Sequence, residues 1–146
     1  MTRYFRIEEA QRLVPQVERM IRQALDLKAD YDRAEASLRA FNQRLAVAGG
    51  MIPDRAQLLA DRTARDTAAQ RLNETIEAIH EIGCQVKDLD IGLLDFPTLY
   101  RGEEVCLCWK SGERAIEFWH GTTEGFRGRK PIDEEFMANH RGSRAA

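Results

Sequence analysis

Three aspartates in the second half of the chain are the side chains best suited to carry chemistry. Asp88 and Asp90 are two residues apart, and Asp95 follows shortly after. Side chains two apart on an extended segment share a face, and two carboxylates placed so are costly without a cation, a shared proton or solvent. Gly92 allows a turn that would bring Asp95 back towards the pair. The segment is therefore a candidate cation site.

His120 is the second part of this candidate site. It ends a predicted strand just before Gly121, where a packed scaffold meets a loop, and such positions can hold a ligand or a proton-transfer group. Together with nearby carboxylates, its imidazole would suit Mn, Fe, Zn or Mg. The predicted metal ligands are Asp88, Asp90, Asp95, His120 and Glu117.

Simpler roles for these residues stay open. Aspartates in turns accept hydrogen bonds from backbone N–H groups, and the spacing matches no established metal motif. His120 is at least as well explained as a buried histidine paired with Glu103. Neither a substrate nor a reaction can be assigned from these residues, so whether the chain is an enzyme also stays open.

Aromatic side chains are concentrated around the same stretch. Packing in the core is the first explanation, but an aromatic wall beside carboxylates and a histidine is also the usual composition of a small-ligand pocket. The predicted wall is Trp109, Phe118, Trp119 and Glu124.

The three cysteines are predicted to be thiols. An odd number cannot form a closed disulfide framework and suits a reducing compartment. Cys106 and Cys108 share one strand face, and Cys84 precedes a different strand. Two thiols do not complete a zinc site, so small apolar packing is the preferred interpretation.

Composition and charge exclude several classes of protein. With 43% apolar and 32% charged residues, the chain fits a helix-rich soluble protein rather than a disordered one. No apolar run approaches the roughly 20 residues of a membrane span, and the N-terminus lacks the apolar core of a signal peptide, so we predict a cytoplasmic protein.

The net charge of −2 disfavours nucleic-acid binding. A Gly-rich phosphate loop, a G-x-S-x-G elbow and an H-E-x-x-H helix are all missing.

The first half of the chain predicts a long helical hairpin. Apolar or small residues recur at alternating steps of three and four from Val17 to Leu45, which is a heptad seam that needs a partner helix. Gly49-Gly50 is the predicted helix stop, and Pro53 with Asp54 restarts the chain. The second helix should run from about Asp54 to Ile82, and its seam reads Leu58, Arg62, Arg65, Ala69, Leu72, Ile76 and Ile79.

Two details of this half are less regular. Pro15 lies inside the first helical pattern, where it is expected to split off a short opening turn from Ile7 to Leu13. Arg62 and Arg65 make the second seam basic near its start. They are expected to reach solvent or to meet acidic residues of the first helix.

The second half predicts an antiparallel β-hairpin around Ser111-Gly112. The apolar match pairs Leu107 with Ile116, Val105 with Phe118 and Glu103 with His120, which places His120 on the core face. Residues 127–146 are predicted to be a loop and a solvated tail.

Three segments resemble signature blocks of the domain of unknown function 2203 (DUF2203) family. They are YFRIEEAQRLVP, GCQVKDLDIGLLDFP and CWKSGERAIEFWHGTTEGFRGRKP. The resemblance implies an uncharacterised prokaryotic protein and assigns no catalytic residue. The family usually has Thr or Ser where this chain has Arg6. With Glu9 such a hydroxyl would form a capping box, so its loss weakens the expectation of a helical first turn.

These patterns together predict one α+β domain over residues 1–146. It comprises a long antiparallel helical hairpin (1–83), a small antiparallel β unit (84–126) and the loop and tail (127–146). The leading functional hypothesis is a binding or assembly module in which two hairpins form a homo-oligomer, because the seam is long for a chain of this size. The alternative is a small metal-dependent protein or enzyme with its site at the β unit.

Overall fold

A computed structural model describes residues 2–47, 49 and 54–143, and the chain forms two compact units. Arg22–Ile76 make up one, here called the hairpin unit. Met1–Ile21 together with Glu77–Ala146 make up the other, here called the sheet unit. Among the described residues, no helix has the length and apolar character that crossing a membrane requires.

Two long helices dominate the chain: α1 spans Ile7–Val47 and α2 spans Arg55–Ile82. They pack against each other, which confirms the predicted helical hairpin. Within the hairpin unit, the residues with less than a tenth exposure are Ala24, Ala34, Leu38, Phe41, Ala68 and Thr75. The small residues let the two backbones approach, while the larger apolar ones fill the space beside them.

The seam of α2 differs in detail from the predicted one. Arg62, a position of the predicted seam, is exposed, whereas Ala68, which the predicted seam did not include, is buried. Arg65 is half-buried, and its Nη1 lies 3.4 Å from Oε1 of Glu35 on α1. Of the two roles predicted for Arg65, contact with solvent or with an acidic residue of the first helix, the structure shows the second.

Helix α1 continues through Pro15, so the predicted separate opening turn is wrong. The proline is exposed, whereas Ala10, Val14 and Val17 around it are all buried. Burial of these neighbours stabilises the helix on both sides of the missing N–H, which outweighs the local cost of the proline.

The helix ends follow the predicted signals where they are described. Gly49, after the end of α1, has a left-handed φ of 71°. Gly50 and Pro53 lie outside the described residues. Asp54 caps α2, since its Oδ1 accepts the N–H of Gln57 at 3.0 Å. Gly83, with φ of 115°, follows the last residue of α2.

The first turn of α1 forms without a hydroxyl at Arg6. The backbone N–H of Arg6 donates to Oε1 of Glu9 at 3.0 Å, which is half of a capping box. The missing acceptor is supplied by His140, whose Nε2 accepts the N–H of Ile7 at 3.0 Å. A residue near the other end of the chain therefore completes the helix cap.

In the described part of the sheet unit, six strands form an antiparallel sheet with the order β1-β2-β3-β4-β5, and β6 also pairs with β2. The strands are β1 (Gln85–Asp88), β2 (Leu93–Tyr100), β3 (Glu103–Lys110), β4 (Phe118–Gly121), β5 (Lys130–Pro131) and β6 (His140–Arg141).

The register of β3 and β4 corrects the predicted hairpin. Cys106 lies opposite His120, and Leu107 lies opposite Trp119. Ile116 is not in a strand, and its N–H donates to Oε1 of Gln11 on α1 at 2.7 Å. The shift from the predicted pairing is three residues. Because an odd shift turns every side chain of a strand to the other face, His120 joins the face of Cys106 instead of that of Leu107.

The C-terminal segment is more ordered than the predicted loop and tail. A short helix, α3, spans Glu134–Asn139, and Oδ1 of Asp133 caps it by accepting the N–H of Phe136. Phe136 and His140 are both buried, at 1% and 4% exposure. The segment thus contributes to the core of the sheet unit.

Candidate functional site

A carboxylate, a thiol and an imidazole meet on one face of the sheet. Asp95 on β2 lies opposite Cys108 on β3, and Cys106 lies opposite His120 on β4. Asp95, Cys106 and His120 each offer one ligand atom, and these three atoms lie within 4.8 Å of one another. The cluster comes from three neighbouring strands, so the backbone hydrogen bonds of the sheet fix its geometry.

Asp95 occupies a position where a charge needs a partner. Strand β2 is buried from Leu93 to Thr98, and Asp95 itself is only 3% exposed. Burying an ionised carboxylate is expensive unless it is paired and hydrogen-bonded. Its partner is His120, 2% exposed, whose Nε2 lies 2.9 Å from Oδ1 of Asp95.

Both ring nitrogens of His120 face oxygen atoms. Nδ1 lies 2.7 Å from the backbone oxygen of Gly121, and that oxygen can only accept a hydrogen bond, so Nδ1 carries a proton. In the neutral ring Nε2 would then direct a lone pair at the carboxylate of Asp95. The 2.9 Å contact therefore needs a positive centre, either a proton or a metal ion.

The thiol of Cys106 is half-buried and held in its protonated form. Burial is the main factor that raises the pKa of Cys106, to about 12, and the charge of Asp95 adds to it. The positive charge of Lys87 acts in the opposite direction. Burial and Asp95 likewise raise the pKa of Cys108, to about 11. Neither thiol is a nucleophile at neutral pH in this environment.

A cavity of about 260 Å³ opens beside Asp95 and His120. Besides Asp95 and His120, its lining includes one lysine, two threonine hydroxyls and two large apolar side chains. The lining residues are Lys87, Leu93, Asp95, His120, Thr122, Thr123, Gly125 and Phe126. The arrangement offers a small polar ligand access to the cluster.

The loop over this cavity is tied down by Glu124. Its Oε1 accepts the N–H of Gly121 at 2.7 Å and a hydrogen bond from Nζ of Lys130 at 2.6 Å. The bond to Lys130 and the bond to Gly121 hold the pKa of Glu124 below its usual value. The threonines of the loop are thereby held at the rim of the cavity.

Residues 3–132, which include the whole cluster, match the family model described as "Uncharacterized conserved protein (DUF2203)". The chain belongs to the DUF2203 family. The resemblance seen in the three sequence blocks is thereby confirmed. No curated protein and no solved structure matches the chain.

Of the five predicted ligands in this DUF2203 protein, the structure brings together Asp95 and His120. Asp88 and Asp90 are exposed, and Oδ1 of Asp88 accepts the N–H of Asp90 at 3.0 Å, which is the turn role considered as the alternative. Glu117 is exposed, and its backbone oxygen accepts the N–H of Ile132. The alternative pairing of His120 with Glu103 is wrong, because His120 lies opposite Cys106 on β3 and its Nε2 contacts Asp95.

The four predicted wall residues have other contacts. Trp109 is fully buried and donates its Nε1–H to the backbone oxygen of Glu113 at 3.0 Å. Trp119 packs on Tyr100 and Phe136, on the opposite face of the sheet from the cluster. The ring of Phe118 lies under the guanidinium of Arg129, with 4.3 Å between the ring centroid and Cζ. Glu124 accepts the N–H of Gly121 in the loop over the cavity.

Sequence reasoning missed Cys106 and Lys87 as site residues of the DUF2203 chain. One signal was available: Asp95 interrupts an otherwise apolar run, and a lone acid in a buried strand must have a partner across the sheet. Cys106 lies on β3, which pairs with the strand of Asp95, and His120 lies on β4, which pairs with β3. A correct register would have placed all three together.

Proposed function

We propose that this DUF2203 protein binds one divalent transition-metal ion at Asp95, Cys106 and His120. The observation that carries the proposal is the contact between Nε2 of His120 and Oδ1 of Asp95, with Nδ1 already committed to Gly121. Metal-binding histidines commonly donate their other N–H to a backbone carbonyl, which fixes the tautomer. The remaining lone pair then faces the ion.

The donor set favours a borderline metal. Imidazole and thiolate suit Zn, Fe and related ions, whereas Mg prefers oxygen ligands alone. Zinc bonds of about 2.0 to 2.3 Å place ligand atoms about 3 to 4 Å from each other. The three atoms here already lie within 4.8 Å, so small side-chain movements suffice. Binding would displace the thiol proton of Cys106.

Three protein ligands leave one coordination position for water or a small molecule. Catalytic zinc sites have this composition, whereas structural zinc sites use four protein ligands. The cavity lies on the side of Asp95 and His120, so the fourth position would face it. The proposal is limited to metal binding, and the reaction, if there is one, stays open.

Metal analysis of the purified protein and calorimetric titration with Zn²⁺ test this function. We expect one ion per chain and a higher melting temperature on loading, because a ligand of the folded state alone must stabilise it. Asp95→Asn and Cys106→Ser should each weaken binding by at least about 100-fold, beyond the usual effect of second-shell partners. Cys84→Ala, which removes another buried thiol of the sheet unit, should leave affinity within about threefold.

One outcome overturns the metal proposal. If the chain carries no stoichiometric metal, and Zn²⁺, Fe²⁺, Mn²⁺ and Co²⁺ all leave the melting temperature unchanged, the contact between Asp95 and His120 is held by a proton alone. The pair would then be an ion pair within the sheet.

Assembly through the helical hairpin is a second candidate function, and a separate observation favours it. Val47 on α1 is 90% exposed and Leu59 on α2 is 55% exposed, both in the hairpin unit. Leu27, Tyr31 and Leu45 of the seam are only partly buried. Large exposed apolar side chains often mark an interaction surface, and the helical hairpin of a second copy would cover them in a four-helix arrangement.

Light scattering at micromolar concentration tests this homodimer. Val47→Glu and Leu59→Glu should shift the mass from two chains to one. Ile91→Glu, which introduces the same charge at a 40% exposed position of the sheet unit, should not. A monomeric wild-type protein with full helicity contradicts assembly and leaves the metal proposal untouched.

A further inference from the structure

We infer that the open position of the metal site accepts a small oxyanion, a carboxylate or a phosphate, with Lys87 as its counter-charge. The inference rests on the proposed metal function and adds a ligand class to it. It is carried by the lining of the cavity beside Asp95 and His120.

Charge balance selects an anion. A divalent ion bound to the carboxylate of Asp95 and the thiolate of Cys106 is neutralised by them, and the imidazole of His120 adds no charge. Lys87 also lines the cavity, and its charge acts on Cys106. Among the described ranges 2–47, 49 and 54–143, no carboxylate forms a salt bridge with Lys87. The loaded site therefore has one uncompensated positive charge next to the open position.

The rim of the cavity supplies hydrogen-bond donors. Thr122 and Thr123 are both exposed and both line the cavity, so their hydroxyls can donate to anion oxygens. Glu124 holds their loop through Gly121 and Lys130, so the two hydroxyls need little ordering when a ligand binds.

Size restricts the ligand to a small one. The cavity volume is about 260 Å³, below the roughly 300 to 1,000 Å³ typical of sites for drug-sized ligands. Leu93 and Phe126 give it an apolar side, which admits a short hydrocarbon group beside the charged head. Acetate and inorganic phosphate are therefore suitable probes of the two oxyanion sources.

The experiment uses the protein loaded with Co²⁺, whose visible absorption reports its coordination. Sodium acetate and sodium phosphate are titrated in separate arms, with perchlorate added to hold ionic strength constant. We expect a saturable spectral change in at least one arm. Lys87→Met should weaken anion binding by about tenfold, the effect of losing one charge-assisted hydrogen bond, when each protein is saturated with cobalt before the anion is added. Lys110→Met, which removes a lysine near Phe126 that does not line the cavity, should bind the anion as wild type does.

The outcomes separate this inference from the metal proposal. If cobalt binds but neither anion changes its spectrum, or if Lys87→Met binds anions as wild type does, the oxyanion inference is wrong and the metal proposal stands. Each mixture is also passed through a membrane that retains the protein. Cobalt in the filtrate after addition of an anion counts against the inference, because the anion then removes the ion from the protein instead of binding to it. If no cobalt binds, the proposed function itself fails.

Discussion

The imidazole of His140 caps the backbone N–H of Ile7, at 3.0 Å between Nε2 and the amide nitrogen. Nδ1 of the same ring lies 3.0 Å from the backbone oxygen of Met137 and 3.2 Å from that of Phe136, so it carries the proton and leaves Nε2 free to accept. The neutral ring is thus held in one tautomer. A residue near the C-terminus therefore caps the first turn of α1, as the hydroxyl of a Ser or Thr at position 6 would.

His140→Phe should destabilise the protein through this cap. Phenylalanine keeps the aromatic contact with Phe136, whose ring centroid is 5.3 Å away, but leaves the N–H of Ile7 without an acceptor. We expect the free energy of unfolding, measured with urea, to fall by about 1 to 3 kcal/mol.

His80→Ala is the matched control for the cap. Its Nε2 also accepts a backbone N–H, that of Val86, but at 3.4 Å and on an exposed ring. The loss should stay below about 0.5 kcal/mol. Equal losses for the two histidine variants would show that the cap contributes nothing specific.

Asp95 and His120 should be energetically coupled even without metal. Removing either side chain leaves the other buried without its partner, whereas removing both leaves neither side chain of the pair behind. A double-mutant cycle of Asp95→Ala and His120→Ala in excess chelator, followed by urea unfolding, should give a coupling of about 1 to 3 kcal/mol.

A surface pair provides the comparison for that cycle. Arg101 and Glu135 form an ion pair with side chains 55% and 59% exposed. Its coupling should be about 0.2 to 1 kcal/mol, because solvent screens exposed charges. If the Asp95–His120 cycle gives no more than the surface cycle, the buried contact is not a significant interaction.

The helical hairpin was predictable because its signal is long and redundant. Nine positions from Val17 to Leu45 repeat at heptad spacing, so one irregular position such as Pro15 cannot overturn the pattern. At Pro15 the burial of the neighbouring residues outweighs the local tendency of proline to end a helix. Packing of Ala10 and Val14 depends on contacts that the local sequence does not reveal.

The candidate site was only partly predictable because strand register is a weak signal over a few residues. Apolar residues alternate in both strands, so pairing Leu107 with Ile116 looked as favourable as pairing it with Trp119. In the structure Ile116 lies outside the strands, and its N–H donates to Oε1 of Gln11 on α1. That contact spans most of the chain. Because the predicted register of β3 and β4 differs from the observed one by an odd number of residues, it places Cys106 and His120 on opposite faces of the sheet.

Gly92→Ala should be more harmful than an ordinary glycine substitution. Gly92 has a φ of 65°, and a Cβ there would lie 2.5 Å from Cβ of Ser111. The N–H of Ser111 also donates to the backbone oxygen of Gly92 at 3.0 Å, so the two segments cannot separate freely. We expect a loss of about 2 to 4 kcal/mol in chemical unfolding, from backbone strain and overlap together.

Two variants divide this loss into its parts. Gly102→Ala has a similar φ of 82° with nothing within 4 Å of the new Cβ, so it should cost only the backbone part, about 1 to 2 kcal/mol. Ser111→Gly combined with Gly92→Ala should recover the overlap part. A double variant as unstable as Gly92→Ala alone would mean that the close approach to Ser111 is not the cause.

Alkaline pH should destabilise the protein through Cys84. The side chain is 1% exposed, and burial raises the pKa of its thiol to about 11 from an ordinary value of 9. Below about pH 9 the thiol is protonated in both the folded and the unfolded chain. As pH rises from there to about 11, the unfolded chain loses this proton while the folded chain keeps it, so the unfolded state is favoured. This thiol alone should remove about 2 to 3 kcal/mol by the upper end of that window.

The measurement compares urea unfolding at several pH values for wild type, Cys84→Ala and Ile79→Val. Cys84→Ala begins less stable at about pH 8, but its stability should fall less steeply, because it has no thiol at this position to titrate. Ile79→Val removes one methylene group from a fully buried neighbour without changing any titratable group, so its curve should stay parallel to that of wild type. Cys106 and Cys108 contribute in the same direction and remain in all three proteins, so they cancel in the comparison. Parallel curves for wild type and Cys84→Ala would mean that the folded protein ionises Cys84 as readily as the unfolded chain does.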